Sequence, residues 1–287
     1  MKAALGAVYW VLSAVICGAM IFVALAFLAP LQGFDPLSLA MPVNPNTPVG
    51  GVYSEVEDRT FRFVNKANYQ FEPSQSTRDL AVQHTEMEGG TPRIWYDYVP
   101  TPDRKKMPLI ILLHGANRDG LSMIEMWQQT AAKYQIALVA PNSAGKTWDF
   151  DNPDPQFLAG LVAEMAGKYD IDADDIFLFG HSDGATYAEL LLNRATGPWR
   201  AAVLHAGFAP ADWLRPPQVA KPVRLYLGDR DANNPLSAAR EVAQALALMG
   251  HQSEIVVIPG HDHWIYDIGP QIAEDSWQWL ARLPKPH

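Results

Sequence analysis

From residue 94 onward the apolar positions gather into short β-rich runs at 94–99, 109–114, 136–140, 176–180, 201–205, 223–228 and 254–258. Between most of these runs, apolar residues recur at helical spacing over 122–134, 156–168, 184–194 and 235–249, with a last such stretch at 271–283. Strands that are apolar throughout are buried on both faces. Their alternation with helices predicts an α/β architecture, a mostly parallel sheet flanked by helices. Sheets of this kind collect functional side chains at the carboxyl ends of their strands. Upstream, 50–90 is polar and mixed. There Thr60-Phe-Arg-Phe-Val64 alternates like one face of a strand, and the segment carries no functional reading.

The N-terminus follows another rule. Residues 3–29 carry no charged side chain, and the run from Leu5 to Leu28 is long enough to cross a bilayer as a helix. A secretory signal has a shorter apolar region and a more basic start than this one, whose flanking positive charge is Lys2. Ala24-Leu-Ala26 resembles a processing site, so a removed signal is the alternative. Retained, the helix keeps Lys2 cytoplasmic and places the rest of the chain outside the cytoplasm, on the cell-envelope side; cleaved, it releases a secreted protein. Pro42, Pro45 and Pro48 stiffen the stretch that follows. The expected organisation is therefore an anchor or signal over 1–30, a Pro-rich linker over 31–50, and one globular domain over 51–287.

Composition narrows the function classes. Acidic residues outnumber basic ones by 31 to 22, a net charge of -9, and the charges are dispersed. Nucleic-acid binding needs clustered Lys and Arg, so no nucleic-acid partner is expected. The one cysteine, Cys17, lies in the apolar segment and leaves the domain without a disulfide.

Gly180-His-Ser-Asp-Gly184 fits Gly-x-Ser-x-Gly, directly after the run Ile176-Phe-Leu-Phe179 and directly before a helical stretch. In a strand-turn-helix elbow the serine takes a strained conformation that the flanking glycines permit, and its hydroxyl projects above the sheet. This geometry expects an acid and then a histidine after later strands. The acid is Asp231 or Asp229 in Gly228-Asp-Arg-Asp231. Asp231 is preferred for its place in the loop, and Asp229 has an alternative reading as a turn or capping residue. The base is His263 or His261 in Pro259-Gly-His-Asp-His263, with His263 preferred. His261-x-His263 also resembles a metal pair, but no third ligand lies nearby in sequence, so no metal or cofactor is expected. Ser182, Asp231 and His263 then form the candidate triad.

A tetrahedral intermediate needs N–H donors aimed at its developing charge. The Asp183 amide is one candidate; Ala116, then Asn117, in His114-Gly-Ala-Asn-Arg-Asp-Gly120 is the other. His114 reads as a loop-fixing residue. His84, His181, His205, His251 and His287 read as surface or packed residues. Trp148 reads as pocket lining or packing.

These pieces, together with Tyr169-Asp-Ile-Asp172 and the stretch from Pro141 to Trp148, resemble the polyhydroxybutyrate depolymerase and feruloyl-esterase-like group of α/β-hydrolases, and their carboxylesterase and phospholipase relatives. The likeness covers roughly 94–283 and leaves the first third unexplained. It implies an α/β-hydrolase fold, with Ser182, Asp231 and His263 in the triad positions and the loop after His114 in the oxyanion position. It also implies a small-molecule ester as substrate, cleaved through an acyl-enzyme. Peptide or thioester cleavage by the same triad is an alternative, and so is a membrane-anchored scaffold with an idle site. Asp183 departs from the Ala, Asn or Gln usual after the nucleophile, which disfavours anionic substrates. The segment 206–221 is too short for a large lid, so an open site is expected.

Overall fold

The computed structural model describes residues 50–63, 69–88, 90–151 and 155–285. The expected membrane span and almost all of the Pro-rich linker lie outside these residues. Among the described residues, no helix is long and apolar enough to cross a membrane.

In chain order the strands are β1 (Tyr53–Glu57), β2 (Val82–Glu88), β3 (Thr91–Tyr98), β4 (Met107–Leu113), β5 (Ala137–Pro141), β6 (Ile171–His181), β7 (Ala201–His205), β8 (Val223–Gly228) and β9 (Ser253–Ile258). The helices are α1 (Gln75–Leu80), α2 (Gly120–Tyr134), α3 (Pro155–Lys168), α4 (Asp183–Arg194), α5 (Leu236–Leu248) and α6 (Gly269–Leu280). The described strands form one sheet in the order β1-β9-β8-β7-β6-β4-β5-β3-β2. β3 runs antiparallel to both β2 and β5, and the remaining pairs are parallel. This is the mostly parallel, helix-flanked sheet that the apolar runs predict.

Two-sided burial explains why those runs are continuous. Every residue of β4 and β5 is buried. Leu109, Ile111 and Leu113 of β4 enter one core with Leu158 of α3, Leu190 of α4 and Leu246 of α5. Ile110 and Leu112 enter the other, with Trp127 of α2 and Ile272 of α6. Helices on both faces leave neither side of the central strands exposed to water, so a polar residue there would lose its hydration unpaired.

The first third of the domain departs from the pattern-based reading. Thr60 to Phe63 is irregular rather than a strand. Phe61 still turns inward, edge-on to Tyr226 with centroids 6.1 Å apart, which accounts for the alternation. The Arg62 amide finds its acceptor in the Gln271 side chain at 2.8 Å, so no strand ladder is needed there. The strands of this segment lie to either side of it: β1, which pairs in parallel with β9 from Tyr53↔Ser253 to Glu57↔Val257, and β2, which pairs with β3.

Candidate active site

Ser182 stands between β6 and α4 with φ 53° and ψ −123°, a backbone conformation that non-glycine residues rarely adopt. The backbone around it is closely packed, with room for glycine alone on either side. A Cβ at Gly180 would lie 2.2 Å from the Gly184 carbonyl oxygen, and one at Gly184 would lie 2.1 Å from that of Leu113. The Ser182 amide donates to the His205 carbonyl at 2.9 Å, tying the turn to β7. The elbow is thus held by main chain and sterics.

The loops after β8 and β9 meet this turn. His263 Nε2 is 2.9 Å from Ser182 Oγ, and its Nδ1 is 2.8 Å from Asp231 Oδ2. The Asp231 side chain is fully buried, while that of His263 keeps a quarter of its surface exposed. The other Asp231 oxygen accepts the amides of Asn233 and Asn234 at 2.8 and 3.0 Å. Partners on both oxygens fix the carboxyl group in place. Asp229 points elsewhere: its Oδ1 accepts the Gly260 amide at 2.6 Å, so it braces the β9 turn from β8.

The structure also separates the two histidines. His261 is fully buried, with neither ring nitrogen hydrogen-bonded among the described residues, and it packs edge-on against Phe63 at 4.9 Å. Burial holds its pKa down at about 4. His181 and His205 lie beneath the same region, their Nδ1 atoms 3.0 Å apart, and burial also lowers both pKa values well below the ordinary imidazole range. Three neutral rings therefore floor the site. Among the described residues, no group of three or more His, Cys, Asp or Glu is placed to hold a metal ion.

The loop after β4 lies against Ser182. A Cβ at Gly115 would come 3.2 Å from Ser182 Cβ. The next residue, Ala116, is exposed. Asn117 donates its amide to Lys146 O at 2.7 Å and is occupied, whereas no hydrogen bond within the described residues engages the Ala116 or Asp183 amide. His114 fixes this loop: Nδ1–H donates to Gly115 O at 2.8 Å, and Nε2 accepts the Ser143 amide at 3.0 Å. Burial lowers its pKa, consistent with a neutral ring that donates on one side and accepts on the other. Trp148 is a packing residue, stacked on Tyr187 at 4.8 Å, with its indole N–H donating to His114 O at 2.8 Å. The Asp183 carboxylate accepts the Thr147 hydroxyl at 2.5 Å.

Four neighbours of the site escape the sequence reading. Asn234 donates to Ala206 O at 2.9 Å and lies 3.5 Å from His263 Nδ1; its place in the loop after β8 was a usable signal. Thr147 carries no signal of its own. Tyr69 and Arg118 become neighbours of the site only through the fold. The tyrosine hydroxyl donates to Asp262 Oδ2 at 2.6 Å, and the arginine guanidinium lies over Trp264 and Tyr266.

No protein-family model matches the chain, and no curated protein does. Solved structures do. A thermostable esterase superposes with TM-score 0.56 and 20% identity; the match covers 71% of this chain and 63% of that one. Thermogutta terrifontis esterase 2, phosphoramylated by tabun, gives 0.59 and 14%, covering 70% and 94%. An S-formylglutathione hydrolase from Agrobacterium tumefaciens gives 0.57 and 13%, covering 70% and 93%. At these identities the likeness establishes the fold, which is that of the α/β-hydrolases.

Proposed function

We propose that the protein is a serine hydrolase that cleaves carboxylic esters through an acyl-enzyme. One observation carries the reading: an unbroken hydrogen-bonded run, Ser182 Oγ to His263 to buried Asp231, ending at a serine on a strained elbow. In this mechanism Ser182 Oγ attacks the ester carbonyl carbon while His263 Nε2 takes the hydroxyl proton. Asp231 holds Nδ1–H and stabilises the imidazolium. The amides of Ala116 and Asp183 receive the oxyanion, and each such donor is worth about 3 kcal/mol. His263 then protonates the departing alcohol, and a water activated by the same ring releases the acid.

The substrate class follows from the surroundings. The segment between β7 and β8 contains only a three-residue 3₁₀ turn, Ala211–Trp213, which supports an open site. The Asp183 carboxylate beside the oxyanion position disfavours anionic substrates. Esterases among the similar structures support the ester reading, and the S-formylglutathione hydrolase brings in thioesters as a second class to assay. The apolar run from Leu5 to Leu28 supports an anchored enzyme with its domain outside the cytoplasm, or a released one if that run is cleaved. Retention of the full-length chain in alkaline-washed membranes would mark the anchor; release would mark cleavage.

The test of the chemistry is a fluorophosphonate probe on the full-length chain, with short p-nitrophenyl esters and thioesters assayed in parallel. The reading expects labelling and turnover in the wild type and neither in Ser182→Ala. A folded wild type that does not label and does not turn over would leave a scaffold with an idle site.

A further inference from the structure

Arg118 lies in the loop that carries Ala116, but its guanidinium contacts lie outside that loop. Nη1 donates to Phe71 O at 3.1 Å and Nη2 to Tyr69 O at 3.4 Å, both in the segment that precedes α1. The same group lies over the rings of Trp264 and Tyr266, 5.2 and 5.4 Å from their centroids. Its own backbone amide donates to Gly115 O at 3.2 Å, closing the turn that presents Ala116. One side chain thus joins the oxyanion loop, the histidine loop and the N-terminal segment.

The N-terminal segment completes the tie. Tyr69 packs against Trp264 at 5.1 Å and donates its hydroxyl to Asp262, the residue before His263. Phe71 stacks on Tyr266 at 4.0 Å. His263 is therefore flanked on both sides by residues clamped from the far end of the domain.

The first half of the histidine loop is tied to the end of β8, through Gly260 with Asp229 and through the Arg230 amide on His261 O at 3.0 Å, but the half that carries His263 has less. Among the described residues, no backbone hydrogen bond joins residues 262–264 to the sheet. The Trp264 amide is satisfied by the Asp262 side chain at 2.8 Å, within the loop itself. Two separate guanidinium nitrogens donate to two separate carbonyl oxygens while the central carbon faces two rings. A lysine ammonium can face an aromatic ring but, as a single point donor, cannot reproduce the fork that reaches both carbonyls.

Resting on the hydrolytic reading above, we propose that Arg118 is a positioning residue. Acting with Tyr69 and Phe71, it sets the placement of His263 relative to the Ala116 amide and does not itself touch the substrate. The catalytic groups must hold their geometry to well under an ångström for full rate, so loosening the tie should act on the chemical step.

The test uses the full-length chain and the variants Arg118→Lys, Arg118→Met and Tyr69→Phe. Each is titrated with the fluorophosphonate to count competent sites, then assayed for kcat and KM on a p-nitrophenyl ester. The expected result is a full titre in both arginine variants, kcat lower by on the order of ten- to hundredfold, and KM within about twofold of wild type. Tyr69→Phe keeps the ring on Trp264 and loses the bond to Asp262, so its kcat should fall about fivefold. Wild-type kcat in Arg118→Lys would overturn the proposal, because charge alone would then suffice. A raised KM at unchanged kcat would overturn it by making Arg118 a substrate-binding residue. A titre that falls in step with kcat would reduce it to a folding role. Should Arg118→Met fail to fold, Arg118→Lys and Tyr69→Phe still decide. A wild type that does not label overturns this proposal and the hydrolytic reading together, and is distinguished from the other outcomes by that control.

Discussion

The turn after β6 and the turn after β9 bring the two ends of one hydrogen bond together, and they are built by opposite means. The serine turn is fixed by main chain: glycines packed against the backbone of the turn and of β4, a positive φ, and one amide bond to β7. The histidine turn is fixed from outside. Asp229 braces it from β8, Phe63 packs on His261, and Tyr69, Phe71 and Arg118 hold the residues around His263. Backbone sterics make a position intolerant of change at the turn itself. Side-chain support spreads the same duty over many residues, each replaceable at moderate cost.

The largest effect belongs to the bond that joins the two turns. Ser182→Ala and His263→Ala should each lower kcat on a short ester by a factor on the order of 10⁶. Residual turnover within tenfold of wild type in either variant would show that the run of hydrogen bonds is not the machinery. Next come the two aspartates after β8. Asp231→Asn should cost about 10⁴ in kcat, because the imidazole loses the acceptor that holds its tautomer. Asp229→Asn should stay within about twofold, since its amide oxygen can still accept the Gly260 N–H. A reversal of that order would reassign the acid.

The contrast in tolerance is tested by stability. In urea unfolding, Gly184→Ala should lose about 3 kcal/mol or more, as the new Cβ meets the Leu113 carbonyl oxygen at 2.1 Å. Gly160 sits in α3 with nothing near its would-be Cβ. Gly160→Ala should gain about 0.5–1 kcal/mol instead. Equal effects at the two glycines would remove the steric account of the elbow.

A smaller, pH-dependent effect is expected in the histidine turn. His261 has its pKa lowered from an ordinary 6.5 to about 4 by burial. The unfolded chain therefore takes up a proton there that the folded chain refuses, so this contribution is complete above about pH 6.5 and lost as pH falls toward about 4. His261→Phe removes the titrating group and keeps a ring against Phe63. Denaturation at about pH 7.5 and about pH 5 should give a smaller loss of stability in the variant than in the wild type. An unchanged difference would mean that His261 does not resist protonation in the folded state.

What could be read from the sequence divides along the same line. The strands from β4 to β9 and the helices between them follow apolar runs that two-sided burial requires, and the elbow announces itself in five consecutive residues. Strand order and loop position single out Asp231 and His263 as candidates, and the structure brings them together with Ser182. The bracing role of Asp229 depends on the Gly260 amide, across a contact no local pattern encodes. β1 was missed because four of its five residues are exposed, so it has no apolar signature, and its partner is at the other end of the chain. Tyr69, Phe71 and Arg118 were missed for the same reason. Their meaning lies in tertiary contacts, and isolated aromatics in a polar stretch look like any other surface residues.

β1 has one more consequence, and it concerns association rather than catalysis. β9, Ser253-Glu-Ile-Val-Val-Ile258, is apolar and almost wholly buried; as a bare sheet margin it would offer an unpaired ladder to any passing strand. β1 covers that ladder with Tyr-Ser-Glu-Val-Glu, whose Glu55 is ion-paired with Arg240 at 2.6 Å and whose Glu57 is paired with Arg59, also at 2.6 Å. The sheet thus ends in a short, charged strand that discourages growth by further strands. A fragment cut where the regular alternation begins, near Ile94, would lose this cover and is expected to come out of solution as aggregate even though Ser182, Asp231 and His263 are all retained.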